Sequence, residues 1–167
     1  LPRAFPLRPA RSAAGPWCVP SGGGGFHRAP PALAVVARLN EGTAMDWGII
    51  GVGTLPQDAR MRDALGPQGG LYTLVIKHPD GRREPRVIGS LCGFLLAADD
   101  PEKVLGALTD PRTRIVSLTI TEGGYLFHPS TGEFDASAES ITPDLVAGAT
   151  PSTPFGYITE ALRRRRA

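Results

Sequence analysis

A chain of 167 residues, 41% hydrophobic and 20% charged, is long enough for one domain with a substantial core, and its balance excludes a disordered polypeptide. No apolar run approaches the ~20 residues needed to cross a bilayer, so no membrane partner is expected. The net charge of +2 is unevenly laid out, with Arg3, Arg8 and Arg11 at one end and Arg163, Arg164, Arg165 and Arg166 at the other. Neither group has interleaved aromatics that could stack bases, so no nucleic-acid partner is expected.

Residues 1–20 are basic, free of acids and rich in proline, and are expected to be irregular, apart from a short strand signal at Trp17-Cys18-Val19. They lack the apolar stretch of a secretory signal, and a start at Leu1 suggests a fragment. Cys18 and Cys92 stand in no zinc spacing and read as reduced thiols of a cytoplasmic protein that binds no metal.

Residues 21–29 read Ser-Gly-Gly-Gly-Gly-Phe-His-Arg-Ala, and an Ala/Val/Leu-rich helical segment follows, ending at Asn40-Glu41-Gly42. A strand, a turn without Cβ atoms and a helix whose free N–H groups face an anion are the parts of a nucleotide-binding βαβ unit. Gly22 and Gly24 give the Gly-x-Gly spacing, although four glycines in a row also suit a flexible linker. Pro30 and Pro31 require the helix to begin at about Pro30, which moves its N-terminus away from the glycines, and Pro20 weakens the strand before the turn.

Trp47-Gly48-Ile49-Ile50-Gly51-Val52 is a short apolar run bounded by Asp46 and Gly53, as in a buried strand. Asp58 lies just past it, where an acid can accept hydrogen bonds from adenosine ribose hydroxyls and repel a 2′-phosphate. The same residue could serve as N-cap of a helix over residues 59–65, and both roles could hold together. A strand is expected at residues 71–77, then a turn at Pro79-Asp80-Gly81 and a returning strand over residues 86–94, together an antiparallel excursion.

Asp100-Pro101 sets an N-cap and first helical position, with Val104, Leu105 and Leu108 on one face and an end near Asp110-Pro111. Residues 114–121, rich in β-branched side chains, are expected to form a central strand covered on both faces. Thr121, Glu122, Gly123 and Gly124 would then stand at the carboxyl edge of the sheet, offering hydrogen bonds and close backbone approach to a nicotinamide, or merely a turn with positive φ. A last helix begins at Thr153-Pro154, with Glu160 spaced to pair with Arg164 and its arginines favoring the helix C-terminus. His27 belongs to the glycine turn, while His78 and His128 each precede a proline and read as solvated loop histidines.

The alternation of strands and helices predicts an α/β domain with a Rossmann-like, doubly wound, mostly parallel sheet over residues 21–167, after an irregular segment of residues 1–20. The ordered set Gly-Gly-Phe-His-Arg-Ala, Asp46-Trp47-Gly48-Ile49-Ile50-Gly51-Val52-Gly53 and Thr119-Ile120-Thr121-Glu122-Gly123-Gly124-Tyr125 resembles the N-terminal domain of the mannitol dehydrogenase family, the long-chain polyol dehydrogenases and related uronate reductases. Similar stretches also include Leu71-Tyr72-Thr73-Leu74, Arg86-Val87-Ile88-Gly89-Ser90, Thr131-Gly132-Glu133-Phe134 and Phe155-Gly156-Tyr157.

The resemblance implies an NAD-dependent, metal-independent oxidoreductase interconverting a polyol and a ketose. It implies that Gly22, Gly23, Gly24, Gly25, Phe26, His27, Arg28 and Ala29 hold the coenzyme pyrophosphate and that Asp58 selects NAD. Gln57 stands where the family often has a second acid, so discrimination against NADP is expected to be softer. Hydride transfer from an alcohol needs a base and donors for the developing alkoxide. The resemblance places these, a lysine, two asparagines and a histidine, in a C-terminal helical domain. The chain offers only Asn40, Lys77 and Lys103, in no such pattern, so no catalytic residue is assigned and the chain alone is expected to be inactive. The alternative is a degenerate Rossmann remnant or interaction module that no longer binds coenzyme.

Overall fold

The computed structural model describes residues 15–20, 28–120, 122–128 and 130–166. In chain order the elements begin with β1 (Gly15–Pro20), α1 (Pro30–Asn40), β2 (Trp47–Gly53) and α2 (Ala59–Leu65). They continue with β3 (Tyr72–Lys77), β4 (Arg83–Ile88), β5 (Leu91–Leu96), α3 (Pro101–Thr109) and α4 (Pro154–Arg166).

The backbone of β1 pairs in parallel with β2, Gly15 opposite Trp47 and Pro20 opposite Val52, and β5 lies parallel on the other side of β2. The strand order β1-β2-β5, with helices in the connections, is the parallel sheet of a Rossmann-type fold. β3 and β4 form the expected antiparallel excursion, with Gly81 at φ 84° in the turn between them.

β2 forms because its short apolar run can be buried from two sides. Ile49 packs with Ala32, Val35 and Val36 of α1, Leu65 of α2, Ile88 and Leu91. Val52, on the opposite face, packs with Ala97, with Val104, Leu105 and Leu108 of α3, and with Tyr157 and Ala161 of α4. Residues three apart on a strand point to opposite faces, so one strand serves both layers. Each fully buried leucine or valine here contributes roughly 1.5–3 kcal/mol. Gly51 has a packing reason as well, since a Cβ there would lie 2.7 Å from the Phe94 ring.

The helix signals act as expected in α3 and α4. Asp100 is extended, at φ −158° and ψ 91°, and its carboxylate accepts the Lys103 N–H at 3.0 Å, a bond that holds its pKa below the ordinary value. Thr153 Oγ1 accepts the Gly156 N–H at 3.2 Å at the start of α4. Glu160 accepts from both Arg163 and Arg164.

Three expectations need correction. Residues 15–20, within the segment expected to be irregular, form β1: the edge of β2 supplies a ladder, and Pro20 falls at the last strand position, where its missing N–H matters least. The single strand expected over residues 86–94 is two, because Gly89 and Ser90 break the run and carry the chain from the hairpin into the parallel sheet. Residues 114–120 form no strand beyond a bridge at Val116, and Ile115 and Val116 are 40% and 39% exposed rather than covered on both faces. Their β-branched side chains favor extended backbone, but that preference does not supply a neighboring strand.

Candidate functional site

The carboxyl ends of β1, β2 and β5 fall on one edge of the sheet because the three strands run parallel, and such an edge is where α/β folds gather ligands. Of the expected glycine turn, Gly22, Gly23, Gly24, Gly25, Phe26 and His27 lie outside the described residues, as does Thr121. Arg28 and Ala29 are described. Ala29 is the N-cap of α1 at φ −106° and ψ −84° without a side-chain cap, and Pro30 and Pro31 fill the first two helical positions. The helix therefore begins where the prolines require, and these two positions contribute no N–H to an anion.

Two bonds from the hairpin and the strand after it hold this entry to the helix. The Tyr72 hydroxyl, on β3, donates to the Arg28 carbonyl at 2.6 Å. Ser90, buried between β4 and β5, donates its hydroxyl to the Ala32 carbonyl at 2.9 Å, while its own carbonyl accepts the Ile49 N–H at 2.8 Å. Ser90 thus joins the first turn of α1 to β2.

Arg28 Nε is buried without a hydrogen-bond partner. A buried donor left unmade costs about 1–3 kcal/mol, and such an atom in a native fold calls for an acceptor.

Asp58 lies in the single 3₁₀ turn Pro56–Asp58 that follows β2. Its Oδ2 accepts the Leu55 N–H at 3.0 Å, so the side chain reaches back over the turn. Asp58 does occupy the N-cap position of α2, at φ −70° and ψ −12°, but makes no side-chain cap bond there, because its carboxylate is engaged upstream. Gly53, the last residue of β2, makes room for it, since a Cβ on Gly53 would stand 2.5 Å from the Asp58 Cβ. The half-buried carboxylate is thereby held against the carboxyl end of β2, the position a ribose-binding acid requires.

Glu122, Gly123 and Gly124 open the 3₁₀ turn Glu122–Tyr125. Among the described residues of that stretch, Leu126 has a positive φ, at 54°. A Cβ on Gly124 would approach the Ile120 Cβ at 3.3 Å, which gives that glycine a packing reason. Among the described contacts, none joins this turn to Arg28 or Asp58.

Sequence reasoning assigned no role to Tyr72 or Ser90. Both sit in stretches that carried the family resemblance, but only the fold brings them to α1, across 44 and 58 positions of chain. His78 differs from the solvated histidine expected, since its Nε2 lies 3.2 Å from Glu84 Oε2 on the hairpin. Arg86 and His78 together hold the Glu84 carboxyl below the usual range. His128 is exposed, with Nδ1 2.9 Å from Ser130 Oγ.

A cavity of about 180 Å³, lined by Arg62, Leu65, Cys92 and Phe94 among others, lies between the end of α2 and the start of β5 and contains none of the expected site residues. No helix among the described residues is long and apolar enough to cross a membrane.

Parallel strands with helices in their connections, an acid after the second strand and an arginine with an orphaned donor before the first helix place the chain in the Rossmann-fold class of the dehydrogenases. The chain is a relative of the mannitol dehydrogenases, corresponding to the amino-terminal third of those proteins. It is 44% identical to a mannitol 2-dehydrogenase of Cereibacter sphaeroides over 156 residues, which is 93% of this chain and 32% of that protein. It is 46% identical to a polyol:NADP oxidoreductase of Gluconobacter oxydans, over 90% of this chain and 31% of the relative.

Among solved structures, Pseudomonas fluorescens mannitol 2-dehydrogenase in ternary complex with NAD and D-mannitol matches with a TM-score of 0.87 at 42% identity, over 95% of this chain and 32% of that one. A substrate-free D-sorbitol dehydrogenase matches with a TM-score of 0.84, also at 42% identity, over 93% and 32% of the two chains. No protein-family model matches. The chain spans about a third of the length of these relatives.

Proposed function

We propose that this chain is the coenzyme-binding part of an NAD-dependent polyol dehydrogenase and does not turn over without the remaining two-thirds found in its relatives. The observation that carries the reading is Asp58, an acceptor held at the carboxyl end of β2 by the space Gly53 leaves. The residues present fit the coenzyme: Arg28 Nε is a buried donor lacking an acceptor, which a pyrophosphate oxygen supplies, and Asp58 can accept from the adenosine ribose hydroxyls. To the turn around the pyrophosphate we assign Gly22, Gly23, Gly24, Gly25, Phe26, His27 and Ala29, and to the nicotinamide side Thr121, Glu122, Gly123 and Gly124.

When bound, the nicotinamide supplies the acceptor for a hydride from a sugar alcohol. The chain's own part is to bind and orient. Asp58 disfavors a 2′-phosphate by charge, while the uncharged Gln57 beside it leaves that discrimination incomplete. The relatives divide on this point, one having been solved in complex with NAD and another being named for NADP. We assign the role of base to none of Asn40, Lys77 and Lys103, since among the described residues Asn40 ends α1 and the two lysines are exposed on β3 and α3.

Titration of the full chain with NADH and NADPH tests the proposal. NADH is expected to bind more tightly, and Asp58→Ala is expected to weaken NADH about tenfold and to narrow its advantage over NADPH, as loss of one charge-assisted hydrogen-bond acceptor dictates. No binding of either nucleotide at millimolar concentration would overturn it.

A second reading, a Rossmann remnant that binds no coenzyme, is favored by Pro30 and Pro31 at the first two positions of α1. It predicts that NADH binding appears only after Pro30→His and Pro31→Gln, and tight binding by the unaltered chain would remove it.

A further inference from the structure

Tyr72 opens β3 and stands 44 positions from Arg28, yet its hydroxyl fixes the Arg28 carbonyl at 2.6 Å. Burial pushes the phenol up to about 12, against the pull of the nearby Arg28 charge, so the hydroxyl keeps its proton and remains a donor at neutral pH. The ring also packs on the cluster formed by Ala32, Val35, Val36 and Ile49, which ties the hairpin to the face of α1. The Arg28 carbonyl is thus fixed by the Tyr72 hydroxyl, while the Nε of its side chain is buried and has no hydrogen-bond partner. The combination is a fixed main chain presenting an unsatisfied cationic donor.

We propose that Tyr72 is a positioning residue for the coenzyme: by holding the Arg28 carbonyl it aims the Arg28 guanidinium at the pyrophosphate, which makes the β3–β4 hairpin part of the coenzyme site. The inference rests on the coenzyme-binding reading and deepens it. Tyr72 itself touches no coenzyme atom and acts through Arg28. Its hydroxyl restricts the rotation of the chain at Arg28, and a donor already oriented loses less freedom when its acceptor arrives. Ser90 performs a separate task, fastening Ala32 within the helix, so the two hydroxyls restrain successive parts of the same entry.

The test is a double-mutant cycle on the full chain, titrating NADH and following its fluorescence, with Tyr72→Phe, Arg28→Met and the pair, each also melted thermally. Tyr72→Phe is expected to weaken NADH about tenfold with little change in melting temperature, and to weaken it less than about twofold once Arg28 is Met, since coupled residues are not additive. NADH affinity unchanged in Tyr72→Phe would overturn the inference and leave the coenzyme reading standing. Equal effects of Tyr72→Phe with and without Arg28 would overturn it too, as would a lowered melting temperature that accounts for the lost affinity. Absence of NADH binding by the unaltered chain would overturn the coenzyme reading and this inference with it.

Discussion

The carboxylate of Asp144 accepts four hydrogen bonds, from the N–H and hydroxyl of Ser152 and from those of Thr153, and so ties a loop to the N-terminus of α4. Gly156 leaves the room, because a Cβ there would overlap the carboxylate. Partial burial raises its pKa and the four bonds lower it, with a net shift below the ordinary carboxylate value. A depressed folded pKa contributes stability that is full above the unfolded value and is lost as pH falls through the folded one. Asp144→Ala is therefore expected to cost about 2 kcal/mol at pH 7 in urea denaturation, and the gap to the unaltered chain should shrink as the pH falls below the ordinary carboxylate range. Asp144 carries no motif and was silent in the sequence. Asp58 could be singled out because a strand end at Gly53 and an acid five residues later form a local pattern, whereas the partners of Asp144 stand eight and nine positions away.

At the scale of elements, the arginines of α4 show how a charge run can be absorbed. Arg163 pairs with Glu160, Arg164 with Glu160 and with Glu102 of α3, and Arg165 donates to the carbonyls of Leu108, Asp110 and Thr113. Arg165 thereby satisfies carbonyls that the C-terminus of α3 leaves without intrahelical donors. Arg165→Ala is expected to destabilise the chain by about 1–2 kcal/mol, measured by urea melts, while a gel-shift titration with DNA at low salt stays flat.

The local half of this arrangement, Glu160 with Arg164, was legible from four-residue spacing. The contacts to α3 were not, because they depend on how two helices pack. The same division runs through the strands. β2 announced itself as an apolar run between breakers, and the hairpin by its turn residues, but residues 114–120 carried strand composition without a place in the sheet. Composition reports what backbone a residue tolerates; a ladder also needs a free edge beside it.

For the whole molecule, the two core layers on β2 leave one aromatic group largely outside both. Tyr125 and Phe127 stack with ring centroids 6.1 Å apart, Phe127 bridges to Phe134, and the latter two are 55% and 47% exposed. Clustered exposed aromatics favor association. Sedimentation velocity over a range of concentrations is expected to show self-association that Phe127→Ser reduces, and a single unchanging monomer boundary would count against this.

The irregularity between β2 and β5 has a consequence for how the chain keeps count. Ile49 pairs with Leu91 but Ile50 with Gly93, so the register of β5 against β2 shifts by one residue at Cys92. Leu91 and Phe94, three apart and so of opposite parity in a regular strand, therefore both face the α1 layer, while Leu95 joins Val52 in the layer of α3. Cys92 acts as a phase shift: it reconciles a sequence written in one frame with a sheet built in another. Removing it would regularise the ladder and, in the same stroke, turn one end of β5 inside out relative to the other.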